Sequence, residues 1–363
     1  MPEFEGTILL TGANGGLGRA IISSIVSSPE LSCFHGIYSL RNASNTIPEL
    51  DGSLSRKTTP ASNGSRLGHT YEKVSLDLSN LTATREFALE INRRVAAGEL
   101  PPIRAVILNA GYEEFVKQTW TDDGLDTTFV INYLGHWLLV IMLLQSMDRE
   151  RGRVLWISSF SHNPHDPRSK LVRSHPDAKY QTLITNDLEP IAKGTWSPNA
   201  LGSNSQAWAP GYRRYGASKF CGVVMIHELQ RRIDRDPALK NISILAIDPG
   251  SMATGIVRRS GSWFLRVVLF QFLLPALTAF MVYFFPNGNF RTPKKSSHDI
   301  LAAALKSNPP PLCKRPKGLY LNGSELGFPN PEAADPAKGI IVWKGSVRYA
   351  GLTASDTILK DWQ

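Results

Sequence analysis

Short apolar runs alternate along the chain with stretches in which apolar residues return every three or four positions. Ile8–Thr11 is such a run and ends in glycines; Gly18–Ser28 follows with Ile21, Ile22, Ile25 and Val26 at helical spacing. This pattern predicts a strand, a tight turn and a helix. Further strands are predicted at Gly36–Leu40, Val74–Leu76, Ala105–Leu108, Val154–Ile157 and Ile242–Ile247, with helices at Thr84–Ala97, Asp126–Met147 and Gly216–Arg235. Strand–helix alternation of this kind predicts an α/β fold, a single doubly wound and mostly parallel sheet with helices on both faces. No repeat or linker composition divides the chain, so residues 1–363 are expected to form one domain.

Four regions depart from the rhythm. Residues 42–73 are rich in Ser, Thr, Asn, Gly and Pro and read as a long loop inserted after Arg41. Residues 160–211 are polar and proline-rich, and read either as an element covering the substrate pocket or as disorder. Within 259–291, the block Trp263–Phe285 is dominated by Trp, Phe, Leu and Val but interrupted by Arg266, Gln271 and Pro275. It reads first as a substrate lid, then as a lid resting in a membrane interface, and third as a spanning helix. Residues 312–363 read as a C-terminal extension.

Composition adds limits. The chain is 42% hydrophobic and 20% charged, which is ordinary for a globular protein. Its net charge of +9 is spread in pairs such as Arg93–Arg94 and Lys294–Lys295 rather than gathered on one element, so no nucleic-acid partner is expected. Cys33, Cys221 and Cys313 are odd in number and lack metal-ligand spacing, which favours a reducing compartment. His162 and His165 read as part of a solvated loop, and no metal site is expected. The first residues carry no basic leader, so the protein is expected in the cytoplasm or on the cytosolic face of the endoplasmic reticulum membrane.

Thr11-Gly12-Ala13-Asn14-Gly15-Gly16-Leu17-Gly18 lies at the first strand–helix junction. Glycines there allow a tight turn and a close approach to a pyrophosphate, and the helix start offers free N–H groups. Gly12, Asn14, Gly16, Leu17 and Gly18 are therefore candidate cofactor contacts. The second strand ends Tyr38-Ser39-Leu40-Arg41, with no acid to accept from a ribose 2′-OH; Arg41 suits a 2′-phosphate, which selects NADP(H). Asp77 and the turn Asn109-Ala110-Gly111 end further strands, where Asp77 would meet the adenine and Asn109 and Gly111 would leave room for the ribose.

Tyr215 and Lys219 stand one helical turn apart at the start of a predicted helix. Such pairs are common on helices, but here an ammonium beside the phenol would lower its pKa and let it pass a proton. Ser158-Ser159 closes the fifth strand, where a hydroxyl can hold a carbonyl, and Asn132 lies in the long preceding helix, where it could anchor a water.

Taken together these motifs resemble the short-chain dehydrogenase/reductase superfamily over about residues 6–258. Gly12, Gly16 and Gly18, then Asn109-Ala110-Gly111, then Asn132, Ser159, Tyr215 and Lys219 match its motifs in order. The resemblance implies a Rossmann fold and a catalytic tetrad of Asn132, Ser159, Tyr215 and Lys219, with Tyr215 and Lys219 also touching the cofactor. It further implies nicotinamide contacts from Pro249, Met252 and Thr254, and pairing into a homodimer. Thr121-Asp122-Asp123-Gly124-Leu125 and Asn132-Tyr133-Leu134-Gly135-His136 look like the retinol dehydrogenase and protochlorophyllide reductase branch. Trp156-Ile157-Ser158-Ser159 and the 263–285 block are reminiscent of 3-ketosteroid reductases. The end of the chain resembles fungal members, many of secondary metabolism. The implied activity is an NADPH-dependent reduction of a lipophilic ketone, or the reverse oxidation. The alternatives are a carbon–carbon double-bond reductase or a non-catalytic NADP-binding sensor. Ser159 and Tyr215 lie much further apart than is usual in the family, because 160–211 comes between them.

Overall fold

Every residue of β1 (Gly6–Leu10), β4 (Ile103–Leu108), β5 (Arg153–Ile157) and β6 (Ser243–Asp248) is buried, so these strands must be covered on both faces. The computed structural model describes residues 4–43, 69–199, 208–252 and 280–363. With β2 (Phe34–Leu40), β3 (Thr70–Ser75), β7 (Tyr320–Asn322) and β8 (Glu325–Leu326), the strands form one sheet ordered β3-β2-β1-β4-β5-β6-β7-β8. All pairings are parallel except β7 with β8. The doubly wound α/β architecture expected from the sequence is the one observed.

Alternate strand residues feed the two layers. Ile8, Leu10, Ile107, Leu155 and Ile247 pack with α1 (Gly16–Ser27) and α6 (Pro293–Leu305). Leu9, Val106, Leu108, Val154 and Ala246 pack on the other side with α2 (Leu81–Ala96), α3 (Thr127–Ser146), α5 (Trp208–Arg235) and α7 (Pro336–Ala350). Among the described residues α3 alone is long and apolar enough to cross a membrane, but 94% of its most apolar window is buried, so it acts as a core helix.

Several sequence expectations are corrected. The polar stretch 42–73 runs into β3, which starts at Thr70 and pairs along its length with β2; the ladder overrides a polar composition. The sheet has eight strands rather than the six expected. The C-terminal extension 312–363 packs into the fold: β7 extends the sheet, and Trp343 of α7 meets Trp137 of α3 edge-on at 5.3 Å. Helix α5 starts at Trp208, so Tyr215 sits well inside it rather than at its opening. His162 is buried, not solvated.

The described part of the insertion, 160–199, is folded onto the start of α5. It contains α4 (Pro167–Val172) and a single turn at Glu189–Ala192. Arg213 lies 3.9 Å over the Tyr180 ring and donates to Ser197 Oγ and the Ser174 carbonyl. Arg214 donates to carbonyls of Ser197, Glu114 and Lys117, and its Nε is 3.2 Å from Asp126 Oδ2, both side chains being almost wholly buried. The described part of this segment is thus ordered rather than disordered; residues 200–207, and most of 42–73 and of 263–285, lie outside the described residues. Removing one partner of a buried ion pair strands the other charge, at about 3–5 kcal/mol. Arg214→Met should accordingly lower the urea unfolding midpoint by a matching amount; an unchanged midpoint would show that the pair does not hold this region.

Candidate active site

The ladder between β1 and β4 ends beyond Leu10, and side chains continue the connection. Thr11 Oγ accepts the backbone N–H groups of Asn109 and Ala110, each at 3.0 Å, and lies 2.9 Å from His136 Nε2. With both acceptor sites filled, the hydroxyl proton goes to His136. Burial and then Lys219 push the His136 pKa down to about 3, so the ring is neutral and can accept it. Asn109 Nδ2 in turn donates to the carbonyls of Thr11 and Gly12. Its side chain thus holds the glycine turn in place.

Gly12 has φ +68, and a Cβ there would lie 2.7 Å from the Ala110 Cα, so only glycine fits. Gly18 likewise packs against the Gly12 carbonyl with no room for a Cβ. Helix α1 begins at Gly16 behind Gly15, with no side-chain cap and no acid in its first turn. Its first N–H groups are thus left for an anion, and the turn fits a dinucleotide pyrophosphate. Asn14 is exposed at the turn, whereas the Leu17 side chain is buried and leaves only its backbone for such a contact. At the neighbouring strand ends Arg41 Nε lies 3.9 Å from Asp77 Oδ2, both side chains exposed, while Asp77 Oδ1 accepts from Ser79. The two residues expected at the adenosine end do share one corner.

Lys219 Nζ donates to the carbonyl of Ile157, the last residue of β5, at 3.0 Å and lies 5.6 Å from the centre of the Tyr215 ring. Ser159 lies close enough to the Tyr215 phenol to oppose the rise in its pKa, and its Oγ accepts from the Ser161 hydroxyl at 3.0 Å. A Cβ on Gly111 would be 3.9 Å from both Lys219 Nζ and Asn132 Oδ1, so the Asn-Ala-Gly turn reaches the same point. Asn132 lies in a π-helical turn, Val130–Leu134, within α3. Its amide is wholly engaged: Oδ1 accepts from Tyr112 N at 2.7 Å, and Nδ2 donates to the Tyr112 carbonyl and to Ser218 Oγ. The side chain therefore braces Tyr112 against Ser218.

The electrostatics also differ from expectation. Burial pushes the Tyr215 phenol up rather than down, with Glu113 adding to the rise. Burial lowers Lys219 to about 8, opposed by Glu113. Sequence reasoning missed Glu113, since an acid just past a strand end carries no signal of its own. It also passed over Thr11 and His136, although His136 falls one helical turn after Asn132.

At the end of β6, Pro249 is buried, Gly250 has φ +78 and its N–H donates to Asp248 Oδ1 at 2.9 Å. Met252 packs on the α1–α6 side of the core, and Thr254 lies outside the described residues. Among the described residues no group of three metal-ligating side chains gathers.

No protein-family model matches the chain. It is 38% identical to the short-chain dehydrogenase iccH of Talaromyces variabilis, over 99% of both chains. It is 26% identical to protochlorophyllide reductase B of Oryza sativa subsp. japonica, over 97% of this chain and 79% of that protein. Among solved structures, angucycline C-6 ketoreductase LanV with bound NADP superposes with a TM-score of 0.54 at 16% identity, over 89% of this chain and 96% of that one. The NADPH-bound carbonyl reductase from chicken fatty liver gives 0.53 at 14% identity, over 89% and 99%. These two establish likeness of fold.

The protonated form of Lys219 predominates below about pH 8 and is lost as pH rises through that value. The pH profile of kcat/KM should therefore fall on its alkaline side near 8. Glu113→Gln removes the group that supports the ammonium and should move that limb to lower pH; a limb unmoved in the variant would remove Glu113 from the site's electrostatics.

Proposed function

Because the chain belongs to the short-chain dehydrogenase/reductase family, and is thereby an oxidoreductase, we propose that it is an NADPH-dependent reductase of a lipophilic ketone, or the corresponding alcohol dehydrogenase. The observation that carries this reading is the meeting of Ser159, Tyr215 and Lys219 at the carboxyl edge of the sheet, beside a glycine turn built for a pyrophosphate. When bound, NADPH supplies hydride from C4 of its nicotinamide. Ser159 then holds the carbonyl oxygen, and Tyr215 gives that oxygen its proton as the alcohol forms. Lys219, fixed by the Ile157 carbonyl, offsets the charge left on the phenol. NADPH over NADH is supported by Arg41 at the end of β2, and by the NADP or NADPH bound in two proteins of like fold.

The preference for a lipophilic substrate is supported by the exposed rings of Phe280, Tyr283, Phe284 and Phe285, the described end of the apolar block. The same rings support resting of this face on a membrane. The protochlorophyllide reductase relatives favour a second reading, reduction of a carbon–carbon double bond.

Tyr215→Phe should bind NADPH as the wild type does and lose about 10²–10⁴-fold in turnover of sterol or polyketide ketones, followed by NADPH oxidation. Full turnover in that variant would sink the assignment, and recovery of a saturated ketone instead of an alcohol would favour the second reading. Arg41→Ala should weaken NADPH binding by roughly 10- to 100-fold while sparing NADH, since a charge-assisted contact contributes about 1.5–3 kcal/mol; equal losses for both cofactors would place Arg41 away from the 2′-phosphate.

A further inference from the structure

We propose that Arg168, in the segment between Ser159 and Tyr215, is a positioning residue for the cofactor, because it holds the acid from which the Pro249–Gly250 loop springs. This rests on the NADPH reading above. Asp248 is the last residue of β6, and its side chain is 2% exposed, so its charge must be met within the protein. Its two oxygens have separate tasks. Oδ1 accepts the Gly250 N–H and holds the loop in its positive-φ turn, and Oδ2 lies 3.0 Å from Arg168 Nη1.

Arg168 is itself fixed. Its Nε and Nη2 both donate to Asp166 at 2.9 Å, and its guanidinium lies 4.5 Å over the ring of Phe160, the residue after Ser159. The other groups around the carboxylate do not replace it. Arg291 donates to the main-chain carbonyls of Asp248 and Asn287 and to Asn322 Oδ1. His162 is held neutral, lowered to about 4 mainly by burial, and the Tyr212 and Tyr320 phenols are pushed up by burial. Arg168 is thus the cation on the carboxylate. This contact joins the segment between Ser159 and Tyr215 to the loop that the resemblance assigns to the nicotinamide end.

Coupling of two binding events is reciprocal. Docking of the segment tightens NADPH binding, and bound NADPH must steady the segment. The test is hydrogen–deuterium exchange of residues 160–181 with and without NADPH, together with the NADPH Kd by fluorescence titration. In the wild type NADPH should slow exchange there. Arg168→Met keeps the stem on Phe160 and should raise the Kd about tenfold and abolish that slowing. Arg168→Lys should recover part of both, and serves if the Met variant does not fold. Asp248→Asn in the Arg168→Met background should add little to either effect. An Arg168→Met protein with wild-type Kd, or with NADPH protection intact, would overturn the proposal. So would faster exchange in that variant with and without NADPH at unchanged Kd, the mark of a purely structural contact. Failure of the wild type to bind NADPH would instead bring down the functional reading along with it.

Discussion

Parallel strands finish together at one edge, and beyond their last ladder bonds the backbone groups need other partners. Thr11 supplies them. Its hydroxyl takes two N–H groups from the Asn-Ala-Gly turn and gives its proton to His136, while Asn109 returns two bonds to the carbonyls of the glycine turn. This knot joins β1, β4 and α3 where the chain must leave an opening. Gly12 can then lie against Ala110, Gly111 can reach Lys219, and Asn132 can brace Tyr112 and Ser218. The glycine turn is thus tied to the Asn-Ala-Gly turn, which in turn packs beside Lys219.

A second theme is the use of arginine inside the protein. Arg153 is buried and donates to carbonyls of Ala303, Lys306 and Cys313, gathering the end of α6 and the chain beyond it. Arg291 does the same for the β6 and β7 ends, and Arg213 and Arg214 for the inserted segment. The guanidinium suits this work, since its five donors can meet several carbonyls at once without losing charge. Part of the +9 net charge is therefore structural and faces no external partner.

What could be read from sequence follows from range. Five of the eight strands and α1 were legible because periodicity is local, as were the glycine turn, Tyr215, Lys219 and Ser159, whose spacing is local or whose order follows the strands. Strand β3 was cut short because its first residues are polar and owe their strand state to β2 across the ladder. The bracing contacts of Asn132 carried no local signal because its partners, Tyr112 and Ser218, come from elsewhere in the chain. Arg168 and Asp248 are far apart in the chain and meet only in three dimensions, so neither carried a signal. His162 read as a loop residue because nothing local shows the Ser159 carbonyl and Asn330 N–H that satisfy its ring inside the protein.

The charge balance at Tyr215 bears on how the site works. A tyrosine beside a lysine suggests a phenol primed to ionise, yet burial and Glu113 hold this phenol protonated, and burial brings Lys219 down to about 8. Left to its own residues, the site thus keeps a proton on the group that would deliver it and a cation of modest strength beside it. The inserted segment is tied to this balance at both ends, with Ser159 just before it and Tyr215 just past it.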